Sequence, residues 1–409
     1  MTTGPGVVPA VAAGMRAARA TRPHVLLVVE NVPLARDARL RRQARALLAA
    51  GYRVTVICPR DPGNASVNGV RVLDYRPAPD NGSTLGFVRE YAKAWLATAW
   101  LIGKLLVTDR FDVVQITSTP DIFFTVTAPL RTFTGTPVLL DQRDQSPELY
   151  ELRFGRRGPV HRLLLWLERA SYRSADQVLA VNRTAVDLAV ERGGIGRHRV
   201  TVVGNGPALA STGPRAVRPE LRGRRYLCCW HGAMGPQDQL DLAVRVVHHV
   251  VRVDGRTDCQ FVFLGDGDAR AGAERLAGTL GVDDWVTFTG WVGQEEVFDH
   301  LATADLGFDS NLEDIVSPVK GMEYMAFGLP FVAFDARETR SAAGPSAVYA
   351  HSGDAGDMAR LIGDLLDDPD RRADMGRTGR LRIEVSFAWE RQQESYLRVV
   401  RGLLAGRST

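Results

Sequence analysis

His24-Val25-Leu26-Leu27-Val28-Val29, a helical pattern from Ala35 to Ala50, a stop at Gly51, and Val54-Thr55-Val56-Ile57 follow one another near the start of the chain. The first run is short, apolar and β-branched, which suits a strand covered on both faces. The second places apolar residues three to four positions apart, and Gly51 ends it as glycine ends many helices. Strand, helix and strand in this order make a βαβ unit with a right-handed crossover. Apolar runs at 112–116, 137–140, 177–181 and 200–203, with helical segments between them, extend the unit into a parallel sheet. Residues 204–225 open with Gly-Asn-Gly-Pro, lack periodicity and read as a connection. A second series then begins, with strands at 226–230, 260–264, 285–289, 306–308 and 330–334 and helices at 237–253, 270–281, 295–304 and 318–327. The expectation is an α/β protein of two Rossmann-like, doubly wound domains facing across a cleft. Its parts are a loose tail over 1–22, an amino-terminal domain over 23–207, a linker over 208–225, a carboxyl-terminal domain over 226–385 and a last helical segment over 386–409, free to pack on either domain. Such sheets bind ligands beyond the carboxyl ends of their strands, so the chemistry belongs in the strand-to-helix loops.

The 409 residues, 45% apolar and 24% charged, can fill two cores, and they exclude a disordered chain or a small disulfide scaffold. A net charge of +4 gives no ground for a nucleic-acid partner. The charge is unevenly spread, with 28 basic and 17 acidic residues up to Pro207 and 23 against 30 beyond it. A basic half suits an anionic partner, such as a phosphorylated substrate or a membrane surface, and equally suits an uneven solvated surface. Cys58, Cys228, Cys229 and Cys259 have no metal-ligand spacing and read as reduced core residues of a cytoplasmic protein. Nothing resembles a secretory signal, and no uncharged apolar run reaches the length of a membrane span.

The stretch SPVKGMEYMAFGLP, 317–330, is the richest in chemistry. Ser317 suits an N-cap and Pro318 the first helical position, while Gly328 supplies the stop. The amides and dipole of a helix start can hold a phosphate. Lys320 falls in that first turn, where a cation is unfavourable unless an anion is present, and a bound diphosphate would be one. Glu323, one turn on, can accept both hydroxyls of a ribose; the alternative is an ordinary Lys320–Glu323 surface pair.

Extended to SPVKGMEYMAFGLPFVAFDARETR, the stretch resembles the signature of family 4 glycosyltransferases, which have the two-domain GT-B fold and transfer sugar from a nucleotide donor with retention. The resemblance runs from about residue 24 to 403 through PLARDARLRRQARALLAAGYRV, LLDQRDQSPEL, ADQVLAVN, HGAMGPQDQLDLAV, FVFLGDGD, VTFTGWV and FAW, all in family order. It implies that Glu323 binds the donor ribose and that Ser317, Pro318, Val319 and Lys320 cradle the diphosphate. It also implies that Gly232, Ala233, Met234, Gly265, Asp266, Gly267, Gly290 and Trp291 line the donor pocket. The glycines admit a plainer reading as turn residues. Two departures stand out: Ile315 occupies the place of a second acid eight residues before Glu323, and Ala233 and Asp238 occupy the places of a basic pair.

In the amino-terminal domain Arg143, Asp144 and Glu148 follow a buried strand. Arg143 can hold a phosphate, and Asp144 or Glu148 can orient a hydroxyl; alternatively Arg143 and Asp144 pair with each other or cap the next helix. Lys320, Arg143 and Asp144 are therefore the catalytic candidates, and Asn31, Asp37, Arg39 and Glu148 the acceptor-binding ones. Arg153, Arg156, Arg157, Arg162, Arg169 and Arg173 interleave with Leu163-Leu164-Leu165-Trp166-Leu167. Residues 153–173 thus suit an interfacial helix on an anionic membrane, or equally a helix packed on its own domain. Asp266 and Asp268 end a strand of the second Rossmann-like domain and the other acids are not clustered near them, so they do not read as a metal site. Together these readings describe a retaining, metal-independent transferase with no cofactor beyond its nucleotide-diphosphate sugar co-substrate. It would serve a hydroxyl acceptor, either a glycolipid or polysaccharide intermediate or a small-molecule aglycone, in the cytoplasm or at the inner face of the membrane. A non-catalytic nucleotide-sugar-binding subunit and a sugar-nucleotide epimerase are the alternatives.

Overall fold

The computed structural model describes residues 22–77, 84–119, 121–155, 157–212, 215–235 and 238–406. These divide into two compact units, one reaching to Val203 and resuming at Gln393, the other running from Gly204 to Gln392.

In the first unit the elements are β1 (His24–Val28), α1 (Ala38–Ala49), β2 (Arg53–Pro59), β3 (Arg71–Tyr75), α2 (Thr84–Thr108), β4 (Val113–Thr117), α3 (Phe124–Thr134), β5 (Val138–Gln142), α4 (Ser146–Phe154), α5 (Pro159–Ser174), β6 (Gln177–Ala180), α6 (Arg183–Glu191) and β7 (Val200–Val202). The parallel sheet has the order β3-β2-β1-β4-β5-β6-β7, with Val25 set between Val54 and Val113. Strand order reverses at β1 and β4, so the loops after these two strands part there and leave room for a ligand. α1 starts at Ala38 and not at Ala35, because the Asp37 side chain accepts from the Leu40 amide and caps it. The segment 153–173 is not one helix. α4 ends at Gly155, whose φ of +62° breaks it, and α5 starts at Pro159. Arg156 lies outside the described residues, as does the Arg153 side chain.

The second unit contains β8 (Tyr226–His231), α7 (Leu240–His248), β9 (Cys259–Leu264), α8 (Arg270–Thr279), β10 (Val286–Gly290), α9 (Gln294–Thr303), β11 (Leu306–Asp309), α10 (Val319–Ala326), β12 (Phe331–Phe334), α11 (Arg337–Ala343), β13 (Ala347–Ala350), α12 (Ala355–Asp367) and α13 (Pro369–Arg382). Its parallel sheet has the order β10-β9-β8-β11-β12-β13 and reverses between β8 and β11. Alternate residues of β8 enter different cores: Cys228 and Trp230 join Phe261, Phe263 and Phe308, while Leu227 and Cys229 join Tyr324 and Phe331. All four cysteines are buried and unbridged.

The last helix, α14 (Trp389–Ala405), is divided between the units. Its first turn is tied within the second, where the Trp389 amide donates to the Pro207 carbonyl and the Gly204 amide to Gln392 Oε1. Further on, the buried Tyr396 hydroxyl donates to Gln115 Oε1 of β4 at 2.8 Å.

Candidate functional site

Four of the glycines singled out in the sequence meet at the carboxyl ends of β8, β9 and β10. The Gly232 amide donates to Leu264, the Gly265 amide to Gly290 and the Met234 amide to Asp266, at 3.0, 3.1 and 3.0 Å. At Gly265, with φ +138°, a β-carbon would lie 2.0 Å from the Gly232 carbonyl oxygen, so only glycine lets the two loops touch. The result is a shelf walled by backbone. Ala233 is exposed at its edge, whereas the Met234 side chain is buried in the core, so Met234 offers the shelf only main chain. Trp291 stands beside it, 74% exposed. Arg270, which sequence reasoning passed over, lies over Gly290 and pairs with Asp266 at 3.6 Å and Glu274 at 2.7 Å.

α10 approaches this shelf across the β8/β11 switch point. Its start differs by one residue from the sequence reading: Pro318 occupies the cap position, Val319 is the first helical residue, and the Ser317 side chain makes no capping bond. The Ser317 carbonyl instead accepts from the Val319 amide at 2.8 Å, closing a turn that the missing N–H of Pro318 cannot oppose. Tyr324 pins the helix underneath, its hydroxyl 3.1 and 3.0 Å from the Cys229 and Phe308 carbonyls.

Lys320 does not wait for a ligand anion. Its Nζ lies 2.8 Å from Asp238 Oδ1, 3.7 Å from Asp309 Oδ1 and 4.6 Å from the centre of the Trp230 ring. Burial works against the charge, but Asp309 and Asp238 outweigh it and hold the Lys320 pKa above its ordinary value. Asp238 thus supplies a carboxylate where the family resemblance anticipates a base. Asp309 did not stand out in sequence and Asp238 did so only as a departure from the basic pair, since their link to Lys320 exists only in three dimensions. Glu323 is not paired with Lys320 through an ion pair; its Oε2 lies 3.5 Å from Nδ1 of His231, the last residue of β8. His231 is buried edge-on against Tyr324, and its Nε2 has no hydrogen-bond partner. Burial, with the Lys320 charge adding, drives its pKa down to about 3, so the ring stays neutral. A histidine closing an apolar run reads as part of the strand, which hid it in the sequence.

The candidates of the first unit lie at the ends of β1 and β5, and most are held by other residues. Asp141, fully buried, takes Arg39 on both oxygens and Gln43 at 3.0 Å, while Arg143 adds a bond at 3.1 Å and also pairs with Asp37. Burial would raise the Asp141 pKa, but Arg39 and Arg143 overcome it and hold the carboxyl far below its usual range. Arg39 donates further to the Val203 carbonyl at 2.7 Å. Arg39 and Asp37, expected as acceptor contacts, therefore brace the fold. Arg143 pairs with Asp37 and Asp141 and not with Asp144. Glu148 is gripped by Arg192, which also holds the buried Glu168. Asp144 and Asn31 are exposed.

Glu30, directly after β1, is 4% exposed with its Oε2 unpartnered. Burial, with the charge of Glu90 adding, raises its pKa to about 8 from the ordinary 4.5. The folded protein therefore keeps a proton that the unfolded chain releases between pH 4.5 and 8, and stability falls as pH rises through that window. Glu168, raised to about 8 chiefly by burial, acts in the same direction. The thermal midpoint is expected to drop between pH 5 and 8, and Glu30→Gln to remove part of the drop. A drop kept in full by the variant would assign it elsewhere.

Two family models match the chain, a glycosyl transferase 4-like domain over residues 36–206 and the glycosyl transferases group 1 over residues 225–368. The alpha-D-kanosaminyltransferase of Streptomyces kanamyceticus is 28% identical over 225 residues, covering 51% of this chain and 56% of that protein, so the match spans about half of that relative. Among solved structures, sucrose-phosphate synthase from Thermosynechococcus elongatus superposes with a TM-score of 0.78 at 17% identity, covering 94% of this chain and 100% of that one. Anabaena HepE in complex with UDP-glucose gives 0.71 at 14%, covering 93% and 99%.

Proposed function

The chain belongs to the group 1 glycosyltransferases, with a 4-like domain ahead and the two-domain GT-B fold, and from that premise we propose that it moves a sugar from a nucleoside diphosphate to a hydroxyl acceptor. The observation that carries this reading is Glu323 on α10, facing His231 beside the glycine shelf. In this reading the Glu323 carboxylate accepts the two ribose hydroxyls. The shelf admits the nucleotide close to the backbone, with Trp291 beside the base. The diphosphate lies at the start of α10, where the main chain of Ser317 to Val319 and the helix dipole favour an anion. The UDP-glucose held by HepE supports a donor of this class.

Transfer breaks the anomeric C–O bond to the diphosphate and forms one to the acceptor oxygen on the same face, giving retention. The acceptor proton passes to an oxygen of the leaving phosphate, so neither a dedicated base nor a metal is needed. The acceptor comes to the first unit beside Asp144 and Asn31, on the cytoplasmic side. A second reading, a subunit that binds donor without turning it over, is favoured by one observation: Asp238 and Asp309 already absorb the Lys320 charge that would steady the departing diphosphate.

A thermal-shift panel of UDP, GDP, ADP and TDP and their sugars, with and without EDTA, tests the donor site, since a ligand of the folded state raises the midpoint by mass action. One base is expected to stabilise the protein by several degrees, unaffected by EDTA. No shift with any nucleotide overturns the reading; a shift without nucleotide release on any acceptor favours the second.

A further inference from the structure

The outer surface of the first unit carries an apolar stripe that its core does not use. α2 already has a core side, with Ala94, Leu101, Ile102 and Leu105 buried. At 3.6 residues per turn Leu96, Trp100 and Val107 fall on the opposite side, 62%, 64% and 85% exposed. A surface helix ordinarily has one apolar stripe, and a second one calls for a second cover. Cations run along this same outer side: Arg89, Lys93 and Lys104 are exposed, and Lys104 Nζ lies 5.3 Å from the centre of the Trp100 ring.

α5 repeats the arrangement, with exposed Leu163 and Trp166 among the exposed Arg162 and Arg169. The steps β3 to β4, β4 to β5 and β5 to β6 all cross the sheet in one direction, so right-handed crossovers put α2, α3 and α5 on one face of it. Trp95 Nε1 donates to Thr125 Oγ1 at 2.7 Å, joining α2 to α3, and Phe124 of α3 meets the Trp166 ring edge-on.

We propose that the outer sides of α2 and α5 together form a docking surface for an anionic membrane, with Trp100, Leu96 and Trp166 among the lipid headgroups and the lysines and arginines on lipid phosphates. Apolar residues ringed by cations have the chemistry of a helix lying in the interface plane. Among the described residues no helix is long and apolar enough to cross a bilayer. A second copy of the chain fits less well, because a two-fold contact presents the same patch on both sides and would set these cations against one another. The surface goes beyond the interfacial segment expected at 153–173, because α2 carries more of it than α5 does.

The test is sedimentation of the full chain with vesicles of phosphatidylcholine alone or mixed with phosphatidylglycerol, at low and high salt, with analytical ultracentrifugation alongside. Binding is expected on the anionic vesicles only and is lost in high salt. Lys93→Ala with Lys104→Ala is expected to weaken it by about 30-fold, near fivefold for each cation. Trp100→Ser is expected to weaken it about tenfold, and an unchanged thermal unfolding midpoint of each variant without ligand reports that the fold is kept. Equal binding to both vesicle types, or binding unchanged in the variants, overturns the proposal. So does a dimer that Trp100→Ser dissolves in the absence of vesicle binding, which gives the face to a second copy. Vesicle binding requires neither donor nor acceptor, so its failure and the failure of the transferase reading are separate results.

Discussion

Lys320→Ala is expected to cost the protein about 3–5 kcal/mol of stability, the usual penalty for removing one partner of a buried ion pair. Asp238 and Asp309 have little exposure of their own and would be left facing each other without a cation between them. Urea unfolding measures the loss. Asp238→Asn in the Lys320→Ala background is expected to return part of it, because one of the two uncompensated carboxylates is gone. A neutral result for Lys320→Ala would make the triad a solvated surface contact. Turnover is expected to fall as well, in proportion to the charge that Lys320 still lends the leaving diphosphate. Asp238→Asn alone leaves Lys320 with a single, more distant carboxylate and is expected to tighten nucleoside-diphosphate binding.

Glu323→Ala is expected to weaken donor-nucleotide binding by about 100-fold, ~3 kcal/mol, as two hydrogen bonds to a charged acceptor are lost. Calorimetric titration supplies the number, and its control is a 2′,3′-dideoxy nucleotide, for which wild type and variant should bind alike. His231→Leu removes the ring nitrogen next to the Glu323 carboxylate and is expected to cost about tenfold, again only with the intact ribose. An equal loss with the dideoxy ligand would place Glu323 away from the sugar hydroxyls.

The fold was legible wherever strands are apolar and buried on both faces. β1, β2 and β4 to β6 announce themselves as short apolar runs, and most strands of the second sheet follow the same rule to within a residue or two. β3 escaped because Arg71–Tyr75 lies at the sheet edge, where two charged residues interrupt it and it shows neither a continuous apolar run nor strict alternation. β13, only Ala347–Ala350, is too short to rise above a loop. On the donor side Glu323, the glycines and Trp291 could be singled out in sequence because each sits in a local motif, the glycines and Trp291 on loops and at a strand end and Glu323 one turn into α10. What stayed hidden depends on partners far apart in the chain. Arg39 and Asp37 look like solvent-facing charges until Asp141 and Arg143 arrive from a strand a hundred residues away. Lys320 looks like a free cation until β8 and β11 bring Asp238 and Asp309 to it.

The division of α14 sets the order in which the protein can be completed on the ribosome. The first unit includes residues from Gln393 onward, and Gln115 in its fourth strand obtains its tyrosine partner only from Tyr396. Everything from Gly204 to Gln392 must be translated in between, an interval of about ten seconds or more at ~5–20 residues per second. The half made first thus waits on the later one: it holds an incomplete surface while Gly204–Gln392 is made, and the second part of α14 seals it.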